Sequence, residues 1–117
     1  MEFVALLSSG KGTWGQIAGL VRKGEWEKII LLGPSYAKDF KLEGTGFDFI
    51  EYDSEKSLTS LKEDFLKKLK GRFDGTEVAL SIASGSGKEH MALVSALLSV
   101  PVGVRFTALT KEGVIMM

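Results

Sequence analysis

The 117-residue chain contains no cysteine. That excludes disulfides, zinc sites built on thiolates, iron–sulfur clusters and cysteine nucleophiles together, and it fits a cytoplasmic protein. Its single histidine, His90, rules out a multi-histidine metal site within one chain. A serine–histidine–acid triad would have to use that one ring. Neither a metal nor a cofactor is expected. Proline occurs only twice, at Pro34 and Pro101, and no linker or low-complexity tract divides the chain. No apolar run approaches the ~20 residues of a membrane-spanning helix. The N-terminal run Phe3 to Leu7 follows an acid, Glu2, and is too short for a secretory signal. Net charge is lacking too, since 15 bases balance 15 acids. A broad field for duplex nucleic acid or a membrane surface is therefore not expected.

What is present is the composition of one globular domain spanning residues 1–117, with 44% hydrophobic and 26% charged residues. Phe3 to Leu7, bounded by Ser8-Ser9-Gly10, reads as a strand buried on both faces. Thr13 stands at a cap position, and Trp14, Ile17, Ala18 and Val21 then recur at helical spacing. Lys23-Gly24 closes that helix. Lys28 to Leu32 is a second strand, closed by Gly33-Pro34, with a short helix expected through Tyr36 to Phe40. Phe47 to Tyr52 alternates as a third strand. Ser54 or Ser57 caps a long helix striped by Leu58, Leu61, Phe65 and Leu69. Glu77 to Ala83 is a fourth strand, and Met91, Val94, Leu97 and Leu98 mark another helix. Val102 to Leu109 and Val114 to Met117 form a hairpin about Thr110-Lys111-Glu112-Gly113. Strands alternating with helices predict an α/β three-layer sandwich, with a mainly parallel sheet and a C-terminal antiparallel hairpin.

In an open parallel sheet, ligands bind beyond the C-terminal strand ends, where the strand order reverses. In the common order 3-2-1-4-5, that crevice lies between strands one and four. Two loops of unusual composition leave those two strands: Ser8-Ser9-Gly10-Lys11-Gly12-Thr13 and Ser84-Gly85-Ser86-Gly87-Lys88. Glycines let main-chain amides approach an anion, and helix N-termini add the positive end of a dipole. Hydroxyls and the two lysines add donors and charge. From Phe3 to Lys23 there are three bases and no acid, whereas Glu25 to Glu77 holds nine bases and twelve acids. A phosphate-type ligand would thus be met by Ser8, Ser9, Gly10, Lys11, Thr13, Ser84, Gly85, Ser86, Gly87 and Lys88. His90, in the first turn of the next helix, either joins them or is a solvated helix residue.

Neither loop is a Walker loop, because Ile82 stands at the first glycine position and Glu89 follows the lysine. The bland alternative is that glycine and serine simply make tight turns. Glu89 reads as an acid favoured at a helix N-terminus rather than a base. Trp14 and Tyr36 are core residues or platforms for a nucleobase. Arg105, inside a strand, calls for a sheet edge, an acid or a dimer partner.

From Glu77 to Gly113 the chain resembles the C-terminal part of a CARF domain, the CRISPR-associated Rossmann-fold sensor. The matching parts are Val78-Ala79-Leu80-Ser81-Ile82-Ala83, the turn Ser84-Gly85-Ser86-Gly87-Lys88, the apolar helix Met91 to Leu98, and Val102-Gly103-Val104-Arg105-Phe106. The first strand and the Ser8-to-Thr13 loop match that family's other ligand-facing segment. The resemblance implies a Rossmann-like homodimer that binds a cyclic oligoadenylate second messenger across its two-fold axis. Contacts would come from Ser8, Ser9, Gly10, Thr13, Ser84, Gly85, Gly87 and Lys88. It also implies slow metal-independent ring cleavage in some relatives, by attack of a ribose 2′-hydroxyl on the adjacent phosphate. Lys88 would stabilise the developing charge, and Ser8 or Ser9 would orient the phosphate. Such sensors usually carry a C-terminal effector domain, so a stand-alone degrader or an excised sensor domain is expected here. As a runner-up, the first loop is similar to a weakened Ser-Gly-Gly-x-Asp-Ser loop of PP-loop ATP pyrophosphatases, with Gly12 in place of the aspartate. A Rossmann-like interaction module without a ligand is the third reading.

Overall fold

The computed structural model describes residues 1–8 and 11–117, which form six strands and three α-helices. In chain order these are β1 (Glu2–Leu6), α1 (Trp14–Lys23), β2 (Lys28–Gly33), β3 (Asp48–Glu51), α2 (Leu58–Leu69), β4 (Glu77–Ser81), α3 (Gly87–Ser99), β5 (Gly103–Thr110) and β6 (Gly113–Met116). They make one sheet in the order β3-β2-β1-β4-β5-β6. All neighbours run parallel except the β5–β6 hairpin. This is the expected Rossmann-like sandwich, and β1 and β4 are neighbours in it.

The central strands are apolar throughout because both faces are covered. On one face, Val4 and Leu6 of β1 join Ile30, Leu32, Val78 and Leu80 beneath α2 and α3. On the other, Phe3 and Ala5 join Ile29, Leu31 and Ala79 against Ile17, Leu20 and Val21 of α1. The period-2 alternation of β1 and the helical spacing of α1 and α2 thus supply three layers directly. No helix among the described residues is long and apolar enough to cross a membrane.

Local differences from the sequence reading have local causes. Thr13 does not cap α1. A 3-10 turn at Lys11–Thr13 already holds Thr13 in the α region, at φ −85° and ψ −9°, whereas a cap needs an extended residue. The expected helix through Tyr36 to Phe40 is a single 3-10 turn, Ser35–Ala37. Ala37 is buried there, and the rings of Tyr36 and Phe40 both reach back to Trp14, which draws the segment down. β4 stops at Ser81, opposite Ala5 of β1, leaving Ile82 53% exposed. Arg105 lies 3.8 Å from the Glu77 carboxylate, an exposed pair across β5 and β4.

Of the two possible caps for α2, Ser57 is the one used. It is extended (φ −62°, ψ 160°), and its hydroxyl accepts the Ser60 amide at 3.4 Å. Ser57→Ala is expected to cost about 0.5–1 kcal/mol, the low end for a cap because the bond is long and exposed. A urea titration that shows no loss would place the helix start elsewhere.

Candidate functional site

Beyond the C-terminal ends of β1 and β4 the two glycine turns meet. The Ser8 amide donates to the Ser84 hydroxyl at 3.1 Å, and both residues are almost fully buried. The Trp14 indole N–H donates to the Ser8 carbonyl at 3.1 Å and pins the start of α1 to the same place. Ser9 and Gly10 lie outside the described residues, as does the side chain of Lys11.

The centre of this junction is Glu89. Ser86 is the N-cap of α3, its hydroxyl accepting the Glu89 amide at 3.2 Å, while the Ser86 amide donates to Glu89 Oε1 at 2.8 Å. This reciprocal box explains why an acid follows the lysine. The other carboxylate oxygen accepts the Ser8 hydroxyl at 2.6 Å and the Tyr52 hydroxyl at 2.5 Å. One buried carboxylate thereby ties the ends of β1 and β3 to the first turn of α3. Burial opposes its ionisation. The donors from Ser8, Tyr52 and Ser86 outweigh that, and hold the carboxyl below its ordinary value. Burial, aided by the neighbouring carboxylate, pushes the Tyr52 phenol far above its usual range, so it remains a donor.

His90 turns inward. Its Nε2 lies 2.7 Å from the Ser84 carbonyl, so Nε2 carries the proton and donates. Its Nδ1 is buried without a partner. Burial, working against the Ser84 bond and the Glu89 charge, holds the ring below its usual pKa and neutral. Lys88 is exposed, and its ammonium donates to the carbonyls of Ser54 and Lys56 at 2.9 and 2.8 Å. It fastens the β3–α2 loop at the rim of the crevice.

No protein-family model, curated protein or solved structure matches this chain.

The chemistry of the crevice is therefore that of its own groups. The sequence-derived residues Ser8, Ser84, Gly85, Ser86, Gly87, Lys88 and His90 do converge. However, the hydroxyls of Ser8 and Ser86 and the ring of His90 are engaged within the protein. In the first turn of α3 the Glu89 amide is capped, and the His90 amide bonds the Ser86 carbonyl at 3.0 Å. The Gly87 and Lys88 amides have no carbonyl one turn back to receive them. A cavity of about 380 Å³ opens on the β5 side, lined by Gln16, Leu20, Ile82, Phe106 and Met117. A polar one of about 320 Å³ opens on the β2 side, between Tyr36 and Asp53.

Sequence reasoning missed Tyr52. It reads there only as the last residue of an alternating strand, yet its hydroxyl is part of the junction. Trp14 packs against the core cluster beneath α1. It is half-buried and stacked on Tyr36 with ring centres 6.3 Å apart and planes at 2°.

Proposed function

We propose that this chain binds a nucleotide-type anion over the β1–β4 crevice, with a cyclic oligoadenylate as the specific ligand. We place this activity in the cytoplasm and in a homodimer. One observation carries the reading. Two glycine turns leave neighbouring parallel strands at the reversal of strand order, are bonded to each other through Ser8 and Ser84, and present the Gly87 and Lys88 amides at a helix N-terminus. The Lys88 ammonium stands at the rim, and the apolar cavity beside β5 has the volume for a heterocyclic base.

The geometry favours recognition over ring opening. Ser8 is 2% exposed and its hydroxyl is committed to Glu89, so it is not free to orient a phosphate. Binding by main-chain amides needs no such hydroxyl.

The test is a thermal-shift panel of cyclic oligoadenylates alongside magnesium ATP, with Gly87→Pro as the variant. Proline is well tolerated at the first helical position, and Ser86 before it is already extended at φ −84° and ψ 166°. The substitution removes one anion-facing amide while leaving the helix start in place. Cyclic tetra-adenylate is expected to raise the melting temperature of the wild type, and Gly87→Pro to weaken that binding about tenfold. The ring should remain intact after long incubation with chelator. A flat panel would overturn the reading, and linear products with cyclic-phosphate ends would replace recognition by cleavage.

A further inference from the structure

β6 is the last strand of the sheet, and among the described residues no strand pairs with its outer side. Its register with β5 determines which main-chain groups face outward. Thr107 lies opposite Met116 and Ala108 opposite Ile115, and the Met117 amide donates to the Phe106 carbonyl at 2.8 Å. Met117, Ile115 and Gly113 are therefore the residues bonded to β5. Consistent with this, the Ile115 carbonyl also accepts the Thr107 hydroxyl at 2.9 Å. In an antiparallel pair such residues alternate with ones whose amides and carbonyls point the other way. Those are Val114 and Met116.

We propose that β6 pairs with β6 of a second copy, antiparallel and centred on Ile115, so that two chains share one continuous sheet. Centred there, Val114 lies opposite Met116 of the partner and Met116 opposite the partner's Val114. Every outward amide meets an outward carbonyl. The arrangement is its own complement, as a two-fold interface requires. Ile115 faces its own counterpart in a non-hydrogen-bonded pair, where Cα atoms approach to about 4.5 Å.

The two sheet edges differ in a way that selects this one. β3 carries Asp48 and Glu51, with Glu51 ion-paired to Lys38 at 2.7 Å, and charge of one sign on an edge discourages a second copy. Gly113–Met116 carries no charge and no proline. Met116 is 37% exposed, and pairing sets it against Val114 of the second copy.

The pairing has a functional consequence. An antiparallel junction is related by an axis perpendicular to the sheet, so the two β1–β4 crevices lie at opposite edges of the joint sheet. Each chain then binds its own ligand, in contrast to the shared pocket that the resemblance implies. The dimer itself does not depend on the ligand reading.

Because the chain has no cysteine, a single introduced thiol reports the interface. Ile115→Cys, under mild oxidation, is expected to give a disulfide-linked dimer, since the Cα separation falls within the range a disulfide spans. Asp48→Cys on the other edge should give no disulfide-linked species. Met116→Pro removes an outward amide and spares the β5 ladder, as proline is tolerated on edge strands. It is expected to shift the light-scattering mass from dimer to monomer, weakening association about tenfold, with the far-UV circular dichroism of the folded chain unchanged. Three results would overturn the proposal: Ile115→Cys cross-linking no better than Asp48→Cys, a wild type that is monomeric at every concentration and so leaves the edge to some other chain, or a dimer indifferent to Met116→Pro.

Discussion

Glu89→Ala is expected to cost the fold about 4 kcal/mol, most of the stability of a small domain. Glu89 is 3% exposed, and its carboxylate is the acceptor for the Ser8 hydroxyl, the Tyr52 hydroxyl and the Ser86 amide. Truncation leaves three donors in a buried junction, each costing about 1–3 kcal/mol when unsatisfied, with partial relief from a water entering the space. Denaturant unfolding at neutral pH, with an unchanged slope, measures the loss. A loss below about 1 kcal/mol would mean that the ends of β1 and β3 are held to α3 by something else.

Glu89→Gln separates charge from shape. One amide oxygen can still accept from Ser86, and the two hydroxyls can reorient towards the amide nitrogen, so the cost is smaller, about 2 kcal/mol. The two proteins should also differ in acid. The folded-state pKa of Glu89 is depressed below its ordinary 4.5, so the carboxylate's contribution is fully present above that value. It is lost as pH falls through the folded value. His90, held neutral by burial below its ordinary 6.5, adds acid sensitivity of the same sign that begins at a higher pH. The gap between wild type and Glu89→Gln should therefore close as pH is lowered past about 4, while acid sensitivity from His90 persists in both proteins. A gap constant from neutral to strongly acid pH would show that Glu89 is not ionised in the fold.

The layers were legible because they rest on short-range pattern. Phe3 to Leu7 alternates between two buried faces, Trp14 to Val21 carries one helical stripe, and glycine with serine punctuates the strand ends. The neighbouring placement of β1 and β4 followed from the common order of such sheets, and the convergence of the two loops followed from that. The junction itself was not legible. Glu89 meets Ser8 across 81 residues and Tyr52 across 37, and no local spacing announces either contact. Hence the hydroxyl of Ser8, chemically suited to a phosphate, is given to an internal acid. Lys88, the obvious cation, reaches two carbonyls of the β3–α2 loop because that loop lies against the first turn of α3. Composition and strand order brought the two loops to one corner of the fold, and long-range geometry decided which atoms there are available.

The two glycines of the second turn make this division measurable. Gly85 has φ +110°, a conformation L residues rarely adopt, and a Cβ there would sit 2.9 Å from Leu6 Cδ1 and 3.0 Å from His90 Nε2. Neither neighbour can yield. Leu6 is fully buried, and the ring of His90 is held by the Ser84 carbonyl. Gly85→Ala is expected to cost about 3 kcal/mol from backbone strain and overpacking together. Gly87, two residues on, has open space at its Cβ position and begins α3. Gly87→Ala should leave stability unchanged or raise it by about 0.5 kcal/mol, since alanine has the better helix propensity and the less costly unfolded state. Its methyl group would nonetheless stand where an anion approaches the Gly87 amide, so ligand binding should weaken without loss of fold. Urea titrations of the two variants, read beside their thermal shifts with cyclic tetra-adenylate, separate the roles. Equal losses of stability would mean that the turn is not held by Gly85. Undiminished binding by Gly87→Ala would move the anion away from the α3 amides, and with it the site proposed for this chain.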